Sequence, residues 1–392
     1  MVEPAVATTP ASAPPPPRPA PAADTCPPRR GLFHPALPSL LSVSLSLLLC
    51  FVAIALTRGS FFTALEAYAA MLWGGLGDFP RLFAGAGADV LFRPWGESAA
   101  KASILALTGL SVAVAFQVGL FNIGAQGQMT VGALAAAVVG AQLSWPAPLH
   151  VGACLAAAGV AGALWGLLPA TLKLRRGVHE VISTIMLNWI AVSLVENWLV
   201  VGPLRATAGQ DLSLAGTAQI HDSAQLPRLL GDVSRLHGGF LLALLLAVVV
   251  WFWLTRTRLG FETRAVGLGR EAARTAGMPT SARVLQAMAV AGALAGLAGA
   301  VLVLGTEFKY PATLGAPYGF DGIAIALIGQ THPLGVFLTA CFFGVLRAGG
   351  TRMQLFGVHK SFPELIQGLA LLFIAGRMIW TWLLTRKKAR RA

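Results

Sequence analysis

Charged residues are scarce in this sequence: 11% of its 392 residues are Asp, Glu, Lys or Arg, whereas 56% are apolar. Because an ordinary soluble domain contains about 25% charged residues, this scarcity excludes a soluble globular protein. Apolar windows of about 20 residues, the length that a helix needs to cross a bilayer, recur from Leu40 to Leu384. The sequence therefore predicts an all-α, polytopic transmembrane helical bundle.

Cysteines and catalytic signatures are equally sparse. The four cysteines lie far apart, which excludes a disulfide framework and a zinc site. No lysine follows a glycine and no two of the seven histidines form an HExxH motif, so a phosphate-binding loop and a metalloprotease site are excluded. Ionisable residues within the apolar windows look scattered along the chain. We expect a protein that is not an enzyme and that binds no metal or cofactor itself.

The basic residues that give a net charge of +13 are concentrated in loops and in the C-terminal tail. Such clustering beside apolar segments is typical of cytoplasmic loops, not of nucleic-acid binding. The basic stretches 172–177, 255–283 and 386–392 fall on one side of the expected topology. We therefore predict both termini in the cytoplasm.

The chain divides into a tail, a membrane domain and a second tail. Residues 1–38 are rich in proline and predict a disordered cytoplasmic tail. They are not a signal peptide, because the first apolar run begins only near Leu40. Residues 39–385 form the membrane domain and 386–392 the basic tail. We expect a further amphipathic helix on the outer face over 64–77, and crossings over 40–57, 99–119, 129–143, 149–172, 181–201, 239–254, 284–304, 320–330, 334–348 and 363–385.

Two stretches put polar residues inside this apolar background. GLFNIGAQGQ, residues 119–128, combines glycines with side-chain amides. A backbone break in a bilayer must find partners in protein or in a water-lined cavity, so it indicates either a permeation path or an ordinary loop. Further along, Glu180, Thr184 and Asn188 recur at four-residue spacing and share one helix face. Thr184 and Asn188 either line a path or form interhelical hydrogen bonds.

Two further features of the sequence concern contacts between helices and a contact with another subunit. Four-residue spacing of Gly162 with Gly166, and of Gly292 with Gly296, predicts close helix packing. In the loop 255–283, REAARTAG predicts a short helix from Arg270 that is capped by Gly277. A helix of this length is marginal alone, so it either packs on another subunit or belongs to a plain basic loop.

Five stretches, FNIGAQGQ, EVISTIMLNWIA, RAVG with EAARTAG, ALAGLAGA and GFDGIAIALIGQTHPLG, occur in an order that resembles the permease subunits of bacterial ABC importers for nucleosides and simple sugars. This group includes the ribose and branched-chain amino acid permeases. FNIG followed by EVISTIMLN is most similar to the nucleoside branch. One difference is Gln126, where the family more often has glutamate.

The resemblance implies a subunit of an ATP-driven importer in the bacterial cytoplasmic membrane. Its implied partners are a cytoplasmic ABC ATPase that uses ATP and Mg, a second permease subunit and an extracytoplasmic substrate-binding lipoprotein. The alternatives are the same machine with a sugar or another small solute, or a secondary transporter driven by an ion gradient. The residues implied are Asn122, Gln126, Gln128 and Asp321 beside the translocation path, and Arg270, Glu271, Ala272, Ala273 and Gly277 in the coupling helix.

Overall fold

A computed structural model describes residues 37–206, 216–314, 317–359 and 361–375. The predicted basic tail, the end of the last predicted crossing and nearly all of the proline-rich tail lie outside these residues. The named elements within them are all helical. They are α1 (Leu37–Arg58), α2 (Phe61–Leu76), α3 (Phe79–Phe83), α4 (Asp89–Gln117), α5 (Ala125–Gln142), α6 (Ala147–Arg176), α7 (Glu180–Val192), α8 (Gly239–Arg256), α9 (Arg258–Leu268), α10 (Arg270–Thr275), α11 (Thr280–Leu302), α12 (Tyr318–Ile328), α13 (Pro333–Met353) and α14 (Phe362–Ala375).

Two of the long helices change their winding before they end. α7 continues as a π-helix over Ser193–Leu199, and α11 does so over Val303–Glu307. Among the described residues, seven helices are long and apolar enough to cross a membrane. They are α1, α4, α6, α7, α8, α11 and α13, the π-helical parts included. The all-helical membrane bundle predicted from the sequence is confirmed.

Each of the ten predicted crossings contains a helix, but the helices in three of them, α5, α12 and α14, are not among these seven. α12 has 11 residues, which rise about 16 Å against a hydrocarbon thickness of about 30 Å. The prediction that 320–330 forms a crossing is therefore wrong, since this helix has half the required length. α5 starts four residues before the predicted crossing 129–143, and its first turn contains two glutamines.

The helix expected over 64–77 exists as α2, and it packs into the bundle along one face. Its small residues Ala67, Gly74 and Gly75 are buried. A Cβ atom at Gly75 would overlap the carbonyl of Val345 in α13. α2 also packs on α4, while Phe62 and Leu65 on its other face are exposed. That α2 lies on the outer face stays a prediction.

Glycine contacts hold the central helices together, as the four-residue spacing predicts. α11 packs closely on both α5 and α6. Cβ atoms at Gly162 and at Gly292 would each overlap the backbone of the facing helix, and one at Gly132 of α5 would overlap Gly296. Because backbones touch directly, these positions tolerate no side chain. α4 is buried along most of its length beside this group.

The two ends of the bundle are built from different segments. One end, here called the basic end, contains the loop 255–283, and the end of α4 lies against it through Gly119 and Gly267. At the opposite end, residues 216–226 pair with the π-helical end of α11 and the segment after it. There the Thr217 N–H donates to the Tyr310 carbonyl over 2.9 Å. The end of α5 lies there too, because the His221 N–H donates to the Gly140 carbonyl.

Candidate translocation site and coupling loop

The break between α4 and α5 folds back into the bundle. Gly119 turns the chain at the basic end with a φ of 77°, a conformation that favours glycine. Gly127, in the first turn of α5, donates its N–H to Asn188 Oδ1 over 2.8 Å. Asn188 lies eight residues into α7, about 12 Å along the helix axis. α5 therefore begins well inside the bundle.

Side-chain amides bind the backbone groups that this break releases. Asn122 Oδ1 accepts from the Gly124 N–H over 3.0 Å, and Asn122 Nδ2 donates to Gln128 Oε1 over 3.1 Å. Asn188 Nδ2 donates to the Ile123 carbonyl over 2.7 Å. The interhelical hydrogen bonds considered for Asn188 are thus present.

Most of the predicted path residues come together here, all of them buried. Asn122, Gln126, Gln128 and Asn188 meet at the start of α5. Thr184 is also buried, although its hydroxyl donates only to carbonyls of its own helix, at Glu180 and Val181. Asp321 belongs to the neighbouring helix α12. That these residues border a path stays a prediction.

A second helix starts at the same place. The N–H of Gly319, in the first turn of α12, donates to Gln126 Oε1 over 2.8 Å. Gly319 lies so close to the Gln126 backbone that a Cβ atom would overlap it. The N-termini of α5 and α12 therefore meet inside the bundle. Helices that start within a membrane are the usual frame of transporter binding sites, since their N-termini have a partial positive charge.

An ion pair that sequence reasoning missed lies beside these helix starts. Arg347 Nη2 of α13 donates to Asp321 Oδ2 over 2.6 Å, and both side chains are largely buried. Gln367 Nε2 of α14 donates to Asp321 Oδ1 over 3.1 Å, and Lys101 Nζ of α4 donates to the Arg347 carbonyl. The sequence analysis did not predict this pair, because tertiary packing joins residues that are far apart in sequence. The available signal was an arginine within the apolar window 334–348.

At the basic end, Glu180 closes the turn between α6 and α7. Its Oε2 atom accepts from Lys173 Nζ over 2.6 Å. The turn itself requires Gly177, which has a φ of 68°. The carboxylate at the start of α7 thus fixes two neighbouring spans and is separate from the amides around Asn188.

α9 is attached to the bundle by a buried carboxylate. Glu262 forms ion pairs of 2.8 Å with Arg258 and with Arg283 at the start of α11. The hydrogen bond from Arg258 and the charge of Arg283 lower the pKa of Glu262 despite its burial. The loop 255–283 is therefore an ordered structure with α9 as its fixed part.

α10 projects from this fixed part. Ala273 is its buried residue, whereas Arg270, Glu271 and Ala272 are exposed. Leu268, just before α10, is 92% exposed. Gly277 has a φ of 78°, and the Met278 N–H donates to the Ala273 carbonyl over 3.0 Å. The predicted short helix with a glycine cap is thus present, and its outward face combines charged, small and apolar side chains.

The part of the chain that the structure describes contains no group of three or more His, Cys, Asp or Glu side chains placed to hold a metal ion. Its buried polar groups include the amides at the break, the ion pair of Arg347 with Asp321, and Glu196, which accepts from the Tyr310 hydroxyl. An all-helical bundle with helices that start in its interior is the architecture of membrane transport proteins.

Comparison with known proteins places the chain within that class. Residues 96–375 match the family described as branched-chain amino acid transport system / permease component. This match covers well over half of the chain, and the chain belongs to this family. The membrane permease subunit inferred from the sequence is thereby confirmed.

Individual relatives of this chain are permeases named for nucleosides or for a sugar. The chain is 44% identical to the guanosine ABC transporter permease protein NupP of Bacillus subtilis, over 71% of this chain and 80% of that protein. It is 33% identical to the nucleoside ABC transporter permease protein NupB of Lactococcus lactis, over 76% and 84%. The glucose ABC transporter permease protein TsgB13 of Haloferax volcanii is 37% identical over 71% and 75%. The predicted resemblance to nucleoside and sugar permeases is confirmed.

Proposed function

We propose that this chain is a permease subunit of an ATP-driven importer of nucleosides in a bacterial cytoplasmic membrane. The observation that carries the proposal is the 44% identity to a permease named for guanosine, over 71% of the chain. The nucleoside permease of Lactococcus lactis supports it independently. A glucose permease at 37% identity favours a sugar as the second candidate solute.

In this proposal the helix starts at the break border the translocation path. Substrate transfer follows alternating access, in which the helices around the break open first to one side of the membrane and then to the other. Asn122, Gln128 and Asn188 hold the break in shape through each state, since their amides replace the hydrogen bonds of a continuous helix. Thr184 and Asp321 flank the same region on α7 and α12.

In this proposal, the conformational change driven by ATP hydrolysis is transmitted to this chain through α10. Its exposed residues Arg270, Glu271 and Ala272 contact a cytoplasmic ABC ATPase, which binds ATP and Mg. Ala273 anchors the helix on the chain, and Gly277 sets the direction in which the chain leaves it. A six-residue helix is marginal alone, so a bound partner stabilises it. The other partners are a second permease subunit and an extracytoplasmic substrate-binding lipoprotein, and both termini of this chain are cytoplasmic.

Reconstitution of the complete complex tests this function. In vesicles that contain both permeases, the ATPase and the binding protein, we expect guanosine uptake only when ATP is present on the ATPase side. Omission of the ATPase or the binding protein should abolish uptake, while a protonophore should leave it intact. A matched assay with glucose tests the second candidate solute.

Two outcomes would contradict the proposal. Guanosine accumulation by this chain alone, driven by an ion gradient, would identify a secondary transporter. ATP-dependent uptake of glucose without uptake of any nucleoside would retain the importer and replace its solute.

A further inference from the structure

α12 is a short helix that packs mainly on α4. It is 11 residues long, and Pro317 at its N-terminal boundary supplies no capping hydrogen bond. On its buried face, Gly322 packs against the Thr108 backbone of α4. Glycine contacts permit close approach but provide no directional bond, and a helix of this length is marginal by itself. Polar contacts of the first turn add directional bonds to this packing.

Arg347 makes two of these contacts, and Gln367 of α14 makes two more, with the carbonyl and the Oδ1 atom of Asp321. Its guanidinium binds Asp321 and also lies over the Tyr318 ring, with Cζ 5.5 Å from the ring centroid. Tyr318 and Asp321 both belong to the first turn of α12. One planar side chain thus holds two residues of that turn, as the delocalised charge of arginine permits. The contact of Gly319 with Gln126 then joins the same turn to the start of α5.

Stability alone does not account for this ion pair. Removing two charges from water is costly, and apolar residues of similar volume often give equal or greater stability. Ionisable residues inside a membrane are accordingly rare and usually functional. Arg347 also keeps its Nε atom buried without a hydrogen bond, a further cost that an apolar residue would avoid.

We infer that Arg347 is a positioning residue for transport: through its ion pair with Asp321 it holds the first turn of α12 against the start of α5. The two helix starts at the break then move as one unit. Gln367 secures the pair from α14, and Lys101 fixes the Arg347 backbone from α4. The inference rests on the proposed function in one respect, namely that these helix starts border the path.

A double substitution separates positioning from stability. Asp321→Asn with Arg347→Met removes both charges, so no unpaired charge remains buried. In the complete complex we expect normal assembly, uptake lower by about tenfold, and faster hydrogen exchange in residues 318–328 and 123–128. Exchange in α6 and α11 should not change. Arg347→Lys keeps the charge but loses the planar fork, and we expect an intermediate effect on both measurements.

Tyr68→Phe is the matched control. It removes one hydrogen bond between α2 and α1, from the Tyr68 hydroxyl to the Leu47 carbonyl, and should alter neither exchange in α12 nor uptake. Unchanged exchange in residues 318–328 of the double variant would overturn the positioning role. Faster exchange there with wild-type uptake would support positioning and contradict the proposal that the break borders the path. General destabilisation that includes α6 and α11 would assign the ion pair a merely structural role.

Discussion

The break at residues 119–128 and the loop 255–283 are both polar, yet they use polar residues in opposite ways. At the break, Asn122, Gln128 and Asn188 are buried and bonded to identified backbone or side-chain atoms. In the loop, α10 directs charged side chains outwards, beside the fully exposed Leu268. Inside a bilayer an unpaired polar group costs several kcal/mol, so polarity there reflects internal bonding. At the end of the bundle the same polarity is available to a partner.

Both regions depend on the glycine-mediated packing of α11 on α5 and α6. Disruption of this packing should have the largest effect on the protein, because it should prevent folding. We expect Gly162→Val to prevent folding, because the added side chain would meet the backbone of α11. The amount of monodisperse protein after purification measures this loss. Gly152→Val, on the same helix, is the control, since no atom lies within 4 Å of its Cβ position. Equal yields of the two variants would contradict the packing described.

The next largest effect should come from the cap of α10. Gly277→Val forces a β-branched residue into a φ of 78°, at a cost of about 1–2 kcal/mol. We expect nearly complete loss of ATP-driven uptake in a complex that still inserts and assembles. Ala276→Val, where φ is −75°, serves as the control and should transport normally. Wild-type uptake by Gly277→Val would show that coupling does not depend on this cap.

A change at the break should reduce flux without uncoupling the ATPase. Asn188→Leu leaves the Gly127 N–H and the Ile123 carbonyl without their bonds, at about 1–3 kcal/mol for each buried group. We expect uptake to fall by about tenfold while the ATPase still co-purifies. Thr184→Val removes bonds only within α7 and should have a smaller effect. If Thr184→Val were the more damaging, the amides would not be what holds the break.

The smallest effect concerns the attachment of α9. The folded-state pKa of Glu262 is lowered by Arg258 and Arg283, below the ordinary value of about 4.3. Its ion pairs therefore stabilise α9 at pH values above that ordinary value, and this stabilisation is lost as the pH falls through the lowered pKa. We expect Glu262→Gln to speed hydrogen exchange in α9 relative to wild type at neutral pH, with the difference vanishing in acid. Glu271→Gln, on the exposed face of α10, should leave exchange in α9 unchanged at each pH.

Several features were predictable because they depend on local sequence. The capped helix from Arg270 follows from residues that are neighbours in the chain. The close approach of Gly162 to Gly292 follows from their spacing. Other features were missed for a common reason: the ion pair of Asp321 with Arg347 joins residues 26 positions apart, and no periodicity links them. The short length of α12 was also missed, because an apolar run in the sequence does not show how deep in the membrane its helix begins.

The sequence by itself determined the class of the protein and the order of its spans. Repeated apolar windows force helices, because backbone groups in lipid must be bonded within the chain, and basic loops mark one end of the bundle. Only the tertiary structure decided that α5 and α12 start side by side inside it. Their meeting depends on Gly319 fitting against Gln126 and on Arg347 reaching Asp321 from another helix. Such contacts between distant segments exist only once the helices are packed.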